Sequence, residues 1–285
     1  MHHCNLENGQ HGNCLARKNE NGNIVSENYG YLTSIALDPI EKKPLKMFYP
    51  NSMILSVGSF GCNLKCPFCQ NHEISMADFH KADAKYLSPQ DLADTALKYK
   101  SSGNIGVAFT YNEPLVGWEY VRDVSKLVKS AGMKNVLVTN GTASIKVLEE
   151  IIPYIDAMNI DLKGFSDEYY KKLGGSLDVV KEFIIRASKD CHLELTTLIV
   201  PGKGGIYADS SFNERNSEDF GNDSVQEMEE EAKWIASVGK HIPLHVTRFF
   251  PKYHMTDRNA TDVKKVYKLV DVARKYLDNV FAGNC

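Results

Sequence analysis

Met53-Ile54-Leu55-Ser56-Val57 is followed, after Gly58-Ser59-Phe60-Gly61, by Cys62-Asn63-Leu64-Lys65-Cys66-Pro67-Phe68-Cys69. This junction decides how the rest of the chain is read. The first run is short and apolar, as expected of a buried strand. The second offers three thiols from one loop in the spacing C-x3-C-x2-C, one fewer than a closed metal site needs. Thiolates suit zinc or iron–sulfur clusters, and both ordinarily take four ligands. Three ligands on a cubane cluster would leave one iron open to bind a molecule that reacts. The alternatives are a zinc knuckle with a distant fourth ligand, for which the adjacent sequence offers only His72, and three unrelated thiols.

Outward from this loop the chain alternates strands and helices. Ser88-Pro89 opens a helix with a capping serine and a proline in its first turn. A strand follows at Ile105–Phe109, then a helix through Val121, Val124, Val128 and Ala131, closed by Gly132. Val136–Val138 is the next strand, with a helix through Val147 and Leu148 that stops at Pro153. Ala157–Ile160, Leu193–Val200 and Leu244–Val246 supply further strands. Helices are expected near Val179–Ala187, over Val225–Val238 with the capping box Ser224-x-x-Glu227, and over Val263–Tyr276. Such alternation predicts right-handed βαβ crossovers, a parallel α/β sheet and chemistry on the loops after the strands. Residues 1–50 are polar, with turn signals at Asn8-Gly9, Asn21-Gly22 and Asp38-Pro39, and read as an irregular or hairpin-rich extension ending at Pro50. Residues 51–285 form the core domain. Its one break in rhythm is the polar stretch 202–223, read as a lid, a docking loop or an insertion.

Chemistry-bearing residues recur where strands should end. Tyr111-Asn112-Glu113-Pro114 follows one strand, Thr139-Asn140-Gly141 the next, and Asp161-Leu162-Lys163 the one after. Thr196 lies on a later strand. His245, Arg248, Tyr253 and His254 gather around the last strand before the final helix. Each has a plainer reading: a tight turn at Thr-Asn-Gly, a surface ion pair at Asp161 and Lys163, packed or paired side chains elsewhere. Cys4, Cys14 and Cys285, with His11, read either as reduced thiols or as a second metal site.

The cysteine loop closely resembles the cluster loop of radical S-adenosylmethionine (SAM) enzymes, including the aromatic Phe68 before the third cysteine. The ordered set of the loop, Thr-Tyr-Asn-Glu-Pro, Thr-Asn-Gly, Asp-Leu-Lys and Ile199-Val200-Pro201-Gly202 is similar to the activating-enzyme branch, relatives of pyruvate formate-lyase activase. Within that branch the chain most resembles the radical SAM member of the AmmeMemoRadiSam system. Asp38-Pro39-Ile40-Glu41-Lys42-Lys43-Pro44-Leu45 and His245–Pro251 carry that likeness too. The resemblance implies a partial (β/α)6 radical SAM barrel with an irregular N-terminal extension, a [4Fe–4S] cluster on Cys62, Cys66 and Cys69, and SAM. It implies that SAM is cleaved reductively to a 5′-deoxyadenosyl radical, which abstracts hydrogen from a substrate. By matching position, Glu113 would meet the SAM amino group and Lys163 its carboxylate. Asn140, Thr196 and His245 would be further cofactor contacts, and Arg248, Tyr253 and His254 substrate contacts. A reducing partner such as flavodoxin or ferredoxin is implied, and a protein substrate fits the activase reading. The likeness has departures. Superfamily members commonly carry Gly-Gly-Glu-Pro where this chain has Tyr111-Asn112-Glu113-Pro114. Activases usually carry Asp at Val138 and often Arg at Thr196.

Composition sets the outer bounds. The chain has 285 residues, 43% hydrophobic and 24% charged, an ordinary globular balance. A net charge of −3 argues against a nucleic-acid or membrane-surface partner. No run is long and apolar enough to span a bilayer. With no signal peptide in view, seven cysteines are expected as reduced thiols in a cytoplasmic, oxygen-avoiding setting. Beside the SAM-cleaving reading stand two others: an activase acting on a glycine of a large partner enzyme, and a non-enzymatic zinc or iron–sulfur protein.

Overall fold

The structure is a computed structural model that describes residues 4–202 and 220–285. Most of the stretch 202–223 therefore lies outside the described residues. Strands β1 (Arg17–Glu20) and β2 (Asn23–Ser26) form an antiparallel hairpin. At its turn Asn21 and Gly22 have φ of 52° and 87°, the left-handed pair that Asn-Gly adopts readily. β3 (Tyr31–Leu32) pairs with β6 (Lys85–Tyr86). β4 (Ser34–Pro39) runs antiparallel to β5 (Met53–Gly58), with Leu37 opposite Leu55. Asp38-Pro39, expected as a turn, instead closes β4 and leads into a 3-10 turn at Ile40–Lys42. Proline is tolerated there because β4 lies at the sheet edge.

From β5 onward strands and helices alternate as expected. After the short α1 (His72–Ser75) come α2 (Pro89–Lys98), β7 (Asn104–Phe109), α3 (Trp118–Ser130), β8 (Lys134–Thr139), α4 (Ile145–Ile151) and β9 (Ala157–Asp161). Then follow α5 (Asp167–Leu173), α6 (Leu177–Ala187), β10 (His192–Ile199), α7 (Val225–Gly239), β11 (Leu244–Arg248), α8 (Val263–Ala273) and β12 (Val280–Gly283). The hydroxyls of Ser88, Ser144, Ser166 and Ser224 accept N–H bonds at the starts of α2, α4, α5 and α7. The fold is α/β, with mostly parallel strands. Among the described residues no helix is long and apolar enough to cross a membrane.

The described chain divides into two compact units. The first runs to Lys65 and adds Asn71–Ile160 and Val179–Leu193; the second comprises Cys66–Gln70, Asp161–Asp178 and Glu194–Cys285. In the first unit the strand order is β4-β5-β7-β8-β9, parallel from β5 onward. Ile40, Leu45 and Phe48, from the connection between β4 and β5, pack on Ile54, Ala108, Val136 and Ala157. α3 buries Tyr120, Val121, Val124 and Val128 along one face, each such side chain contributing roughly 1.5–3 kcal/mol. In the second unit β10, β11 and β12 are parallel neighbours, with Thr196 opposite His245 and His245 opposite Phe281.

Gly106 on β7 lies so close to β8 that an added Cβ would sit 1.7 Å from the Lys134 carbonyl oxygen. Backbone cannot yield as a flexible side chain would. Gly106→Ala is expected to destabilise the fold by roughly 1–3 kcal/mol or more, read as a lower urea midpoint with an unchanged slope.

Candidate active site

In the first unit the ends of β7 and β8 are tied together by Glu113, only 3% exposed. One carboxylate oxygen accepts the Leu115 N–H at 3.0 Å and the Thr139 hydroxyl at 2.6 Å; the other accepts the Asn140 N–H at 2.8 Å. Asn140 then extends its side-chain NH2 to Asn63 Oδ1 at 2.9 Å and to Cys62 Sγ at 3.7 Å. Asn63 in turn donates to the Thr142 carbonyl. The structure thus brings three residues singled out in the sequence, Cys62, Glu113 and Asn140, into one hydrogen-bonded array.

Asn112, which sequence reasoning passed over, pins the start of the cysteine loop. Its Oδ1 accepts the Ser59 N–H at 3.0 Å, and its Nδ2 donates to the carbonyls of Phe60 and Gly61 at 3.1 and 3.0 Å. Gly61 has φ of 87°, and a Cβ there would meet the Cys14 carbonyl oxygen at 2.5 Å. That carbonyl accepts the Cys62 N–H at 3.1 Å, so the N-terminal segment braces the loop. Cys4 and Cys14 both lie beside Gly12, while His11 is held by Glu27 at 2.5 Å.

In the second unit Lys163 pairs with Asp161 at 2.7 Å and lies in the field of Cys66 and Cys69. Burial alone would lower the Lys163 pKa; the Asp161 carboxylate and the two sulfurs reverse this and hold it above the usual lysine range. Burial pushes the Cys66 thiol up to about 12, against the pull of Lys163. Three local groups fix the lysine's backbone: Lys163 N–H donates to Tyr170 Oη at 3.0 Å, its carbonyl accepts from Asn222 Nδ2 at 2.9 Å, and Phe165 N–H donates to Glu227 at 2.7 Å. Phe68, between Cys66 and Cys69, stacks near Phe220 and Phe249. The His254 N–H donates to the Pro67 carbonyl at 2.9 Å, and the Tyr253 and His254 rings are 3.7 Å apart. Arg258 donates to the carbonyls of Pro201 and Phe220, at the two flanks of the undescribed stretch.

Thr196 and His245 face the same side of β10 and β11, as their register requires. His245 meets Glu194 at 2.6 Å, and both are buried. The histidine's carboxylate partner was not anticipated from sequence. Arg248, three residues on, belongs to the opposite side; its Nε donates to the Thr261 carbonyl at 2.7 Å and its guanidinium lies over Phe250. It is therefore not gathered with His245.

None of the seven cysteines is in a disulfide, and among the described residues no three His, Cys, Asp or Glu side chains are gathered as a preformed metal site. In the second unit two sulfur donors, Cys66 and Cys69, lie near the Lys163 ammonium, a setting that suits ligation of an anionic iron–sulfur cluster, and metal binding would take the proton that burial keeps on Cys66. A parallel α/β core whose first parallel strand leads into such a loop, with carboxylate, amide and ammonium groups after later strands, defines a thiolate-cluster enzyme. The chain belongs to the Radical SAM superfamily, whose family model matches residues 56–207. Enzymes of this superfamily use a [4Fe–4S] cluster and SAM. An uncharacterized protein of Methanocaldococcus jannaschii is 33% identical over 285 residues, 99% of this chain and 79% of that one. The pyruvate formate-lyase-activating enzyme of Clostridium pasteurianum is 31% identical over 119 residues, covering 40% of this chain and 48% of that enzyme. The match thus spans about half of that activase. SuiB of Streptococcus suis, solved with SAM bound, has a TM-score of 0.58 at 14% identity, covering 81% of this chain and 52% of that one. This last likeness is one of fold.

Behind β10, Glu231 of α7 is buried and bonded to the Thr197 hydroxyl. Burial pushes its pKa up to about 8, opposed by Thr197 and reinforced by Glu227. The native state therefore keeps a proton that the unfolded chain releases above its ordinary value of 4.5. The Glu231 contribution to stability is full below that value and is lost as pH rises through about 8. Between pH 5 and 8 urea unfolding should show declining stability, and Glu231→Gln should flatten that decline by an amount on the order of a few kcal/mol.

Proposed function

We propose that this enzyme binds a [4Fe–4S] cluster through Cys62, Cys66 and Cys69 and cleaves SAM reductively, using the radical to remove a hydrogen atom from a substrate. The observation that carries this reading is the environment of the cysteines: Cys62 is held by the Glu113–Asn140 array, and Cys66 and Cys69 lie in the field of the Lys163 ammonium. When bound, the cluster would supply one electron to the sulfonium of SAM, releasing methionine and a 5′-deoxyadenosyl radical.

The protein's own groups would bind and orient. Glu113, made rigid by Leu115, Thr139 and Asn140, would accept from the SAM ammonium. Lys163, kept cationic by Asp161, would neutralise the SAM carboxylate. Asn140, Thr196 and the Glu194-oriented His245 would hydrogen-bond the nucleoside part. Phe68, Phe220 and Phe249 would keep water from the sulfurs. Tyr253 and His254, the latter anchored on Pro67, would face the substrate; Arg248, turned to Thr261 and Phe250, has no part in this. The electron would come from a flavodoxin or ferredoxin.

Similarity to pyruvate formate-lyase-activating enzymes supports a second, narrower reading in which the substrate is a protein segment and the product a glycyl radical. Val138 and Thr196, where activases usually carry Asp and often Arg, set this chain apart from that group. The broader reading is the one we adopt.

The test is anaerobic reconstitution with iron and sulfide, followed by reduction and addition of SAM. Wild type is expected to release 5′-deoxyadenosine, and Cys66→Ala to release none. Zinc in the purified protein, with no nucleoside product after reconstitution, would leave a metal-binding protein and sink the proposal. Radical transfer to a co-purifying partner, without turnover of free small molecules, would select the activase reading.

A further inference from the structure

Tyr111 has φ of 72°, a left-handed conformation that favours glycine. It occupies the place where the superfamily element commonly has the first glycine of Gly-Gly-Glu-Pro. Something must hold a tyrosine where a glycine would need no help. Its hydroxyl donates to Asp38 Oδ2 at 2.7 Å, and Lys43 Nζ lies 4.6 Å from its ring centroid. Lys43 and Asp38 pair at 2.9 Å and are 2% and 7% exposed. The ring also needs Gly58 beneath it, since a Cβ there would lie 2.8 Å from Tyr111 Cδ2. Burial would raise the Asp38 pKa, but the Tyr111 hydroxyl and the Lys43 and Lys42 ammonium groups hold it well below the usual carboxylate range. The carboxylate is therefore a charged, fixed acceptor.

What Tyr111 holds is the site itself. Its carbonyl accepts from Asn71 Nδ2 at 2.7 Å. The next residue, Asn112, pins Ser59, Phe60 and Gly61 ahead of Cys62. Glu113 follows, with its N–H directed to the Gly61 carbonyl at 3.4 Å. We propose that the buried Asp38–Lys43 pair is a positioning element for the SAM site: it clamps Tyr111 in its left-handed conformation and so sets Asn112 and Glu113. This rests on the SAM-cleaving reading above. It gives Asp38 and Lys43, upstream of the cysteines in the sequence, a function through Tyr111.

The test uses four variants of the full chain: Asp38→Asn, Tyr111→Phe, their double, and Asp38→Asn with Tyr111→Gly. Tyr111→Phe removes the hydrogen bond to Asp38 and leaves the ion pair, whereas Asp38→Asn removes the charge that both the ion pair and the strength of that hydrogen bond depend on. Two readouts are taken beside the thermal midpoint: amide hydrogen exchange over residues 110–113 in cluster-free protein, and SAM affinity of reconstituted protein by equilibrium dialysis. Each single variant should weaken SAM binding and speed exchange by about tenfold, with iron content unchanged, and the double should be no worse than either. Glycine at 111, free to take φ near 72°, should restore both readouts in the Asp38→Asn background. Unchanged affinity and exchange in the singles, additive losses in the double, or no rescue by glycine would each overturn the clamp. Wild type that binds no SAM would overturn the cofactor reading and this role with it, a failure told apart from that of the clamp by the wild-type measurement itself.

Discussion

A carboxylate taken out of water must be met by donors or it costs several kcal/mol. The burial of Glu113 imposes that condition on the ends of β7 and β8. Its oxygens are met by the N–H groups of Leu115 and Asn140 and the hydroxyl of Thr139. To present those donors, Thr139 must end its strand facing Glu113, and the chain must turn at once; Gly141, with φ of 67°, allows the turn. The turn in turn leaves the Asn140 side chain aimed at Asn63 and Cys62. The position of the first cysteine is thus linked to the need to satisfy one buried charge at the end of the neighbouring strand.

The second unit solves the opposite problem, a buried cation. Lys163 keeps its proton because Asp161 and the sulfurs of Cys66 and Cys69 outweigh the cost of burial. A charge so held is useful only if its backbone is fixed, and the fixing comes from α5, the Asn222 turn and α7. Glu227 has two tasks there: its N–H meets the capping hydroxyl of Ser224, and its carboxylate holds Phe165. Helix capping and site geometry are coupled at this residue, so the start of α7 is part of the site's support.

Local signals were readable in the sequence because their causes are local. Ser88 and Ser224 cap helices from three residues away, and the parallel strands announced themselves as apolar runs. The cysteine loop and the Glu-Pro, Thr-Asn-Gly and Asp-Leu-Lys elements were legible for the same reason: each is a short run at a strand end. What escaped was set by pairing across long sequence separations. Asn222 reaches Lys163 across 59 residues, and Glu194 reaches His245 across 51; nothing near either residue foretells its partner. α5 was missed because it is only seven residues long, and Asp38-Pro39 was misread because an edge strand and a turn accept the same dipeptide. Arg248 looked like a neighbour of His245 in sequence, but an odd spacing on a strand sends side chains to opposite sides.

The two departures from the activase pattern fall on the sheet in a way that gives them physical meaning. Val138 packs against the apolar group formed by Ile40, Leu45, Ile54, Ala108 and Val136, so an aspartate there would face side chains that offer it no donors. Thr196 is nearly buried beside His245 in register, and His245 already has Glu194 as its partner. An arginine at 196 would have to share that carboxylate or displace the histidine. The charges that activases usually place at these positions are thus replaced by an aliphatic contact and a neutral hydroxyl next to a buried His–Glu pair. Meanwhile Glu113 and Asn140 in the first unit, and Lys163 in the second, are each tied into their own unit by hydrogen bonds of 2.6–3.0 Å. At Val138 and Thr196 the local packing itself accounts for the residue present.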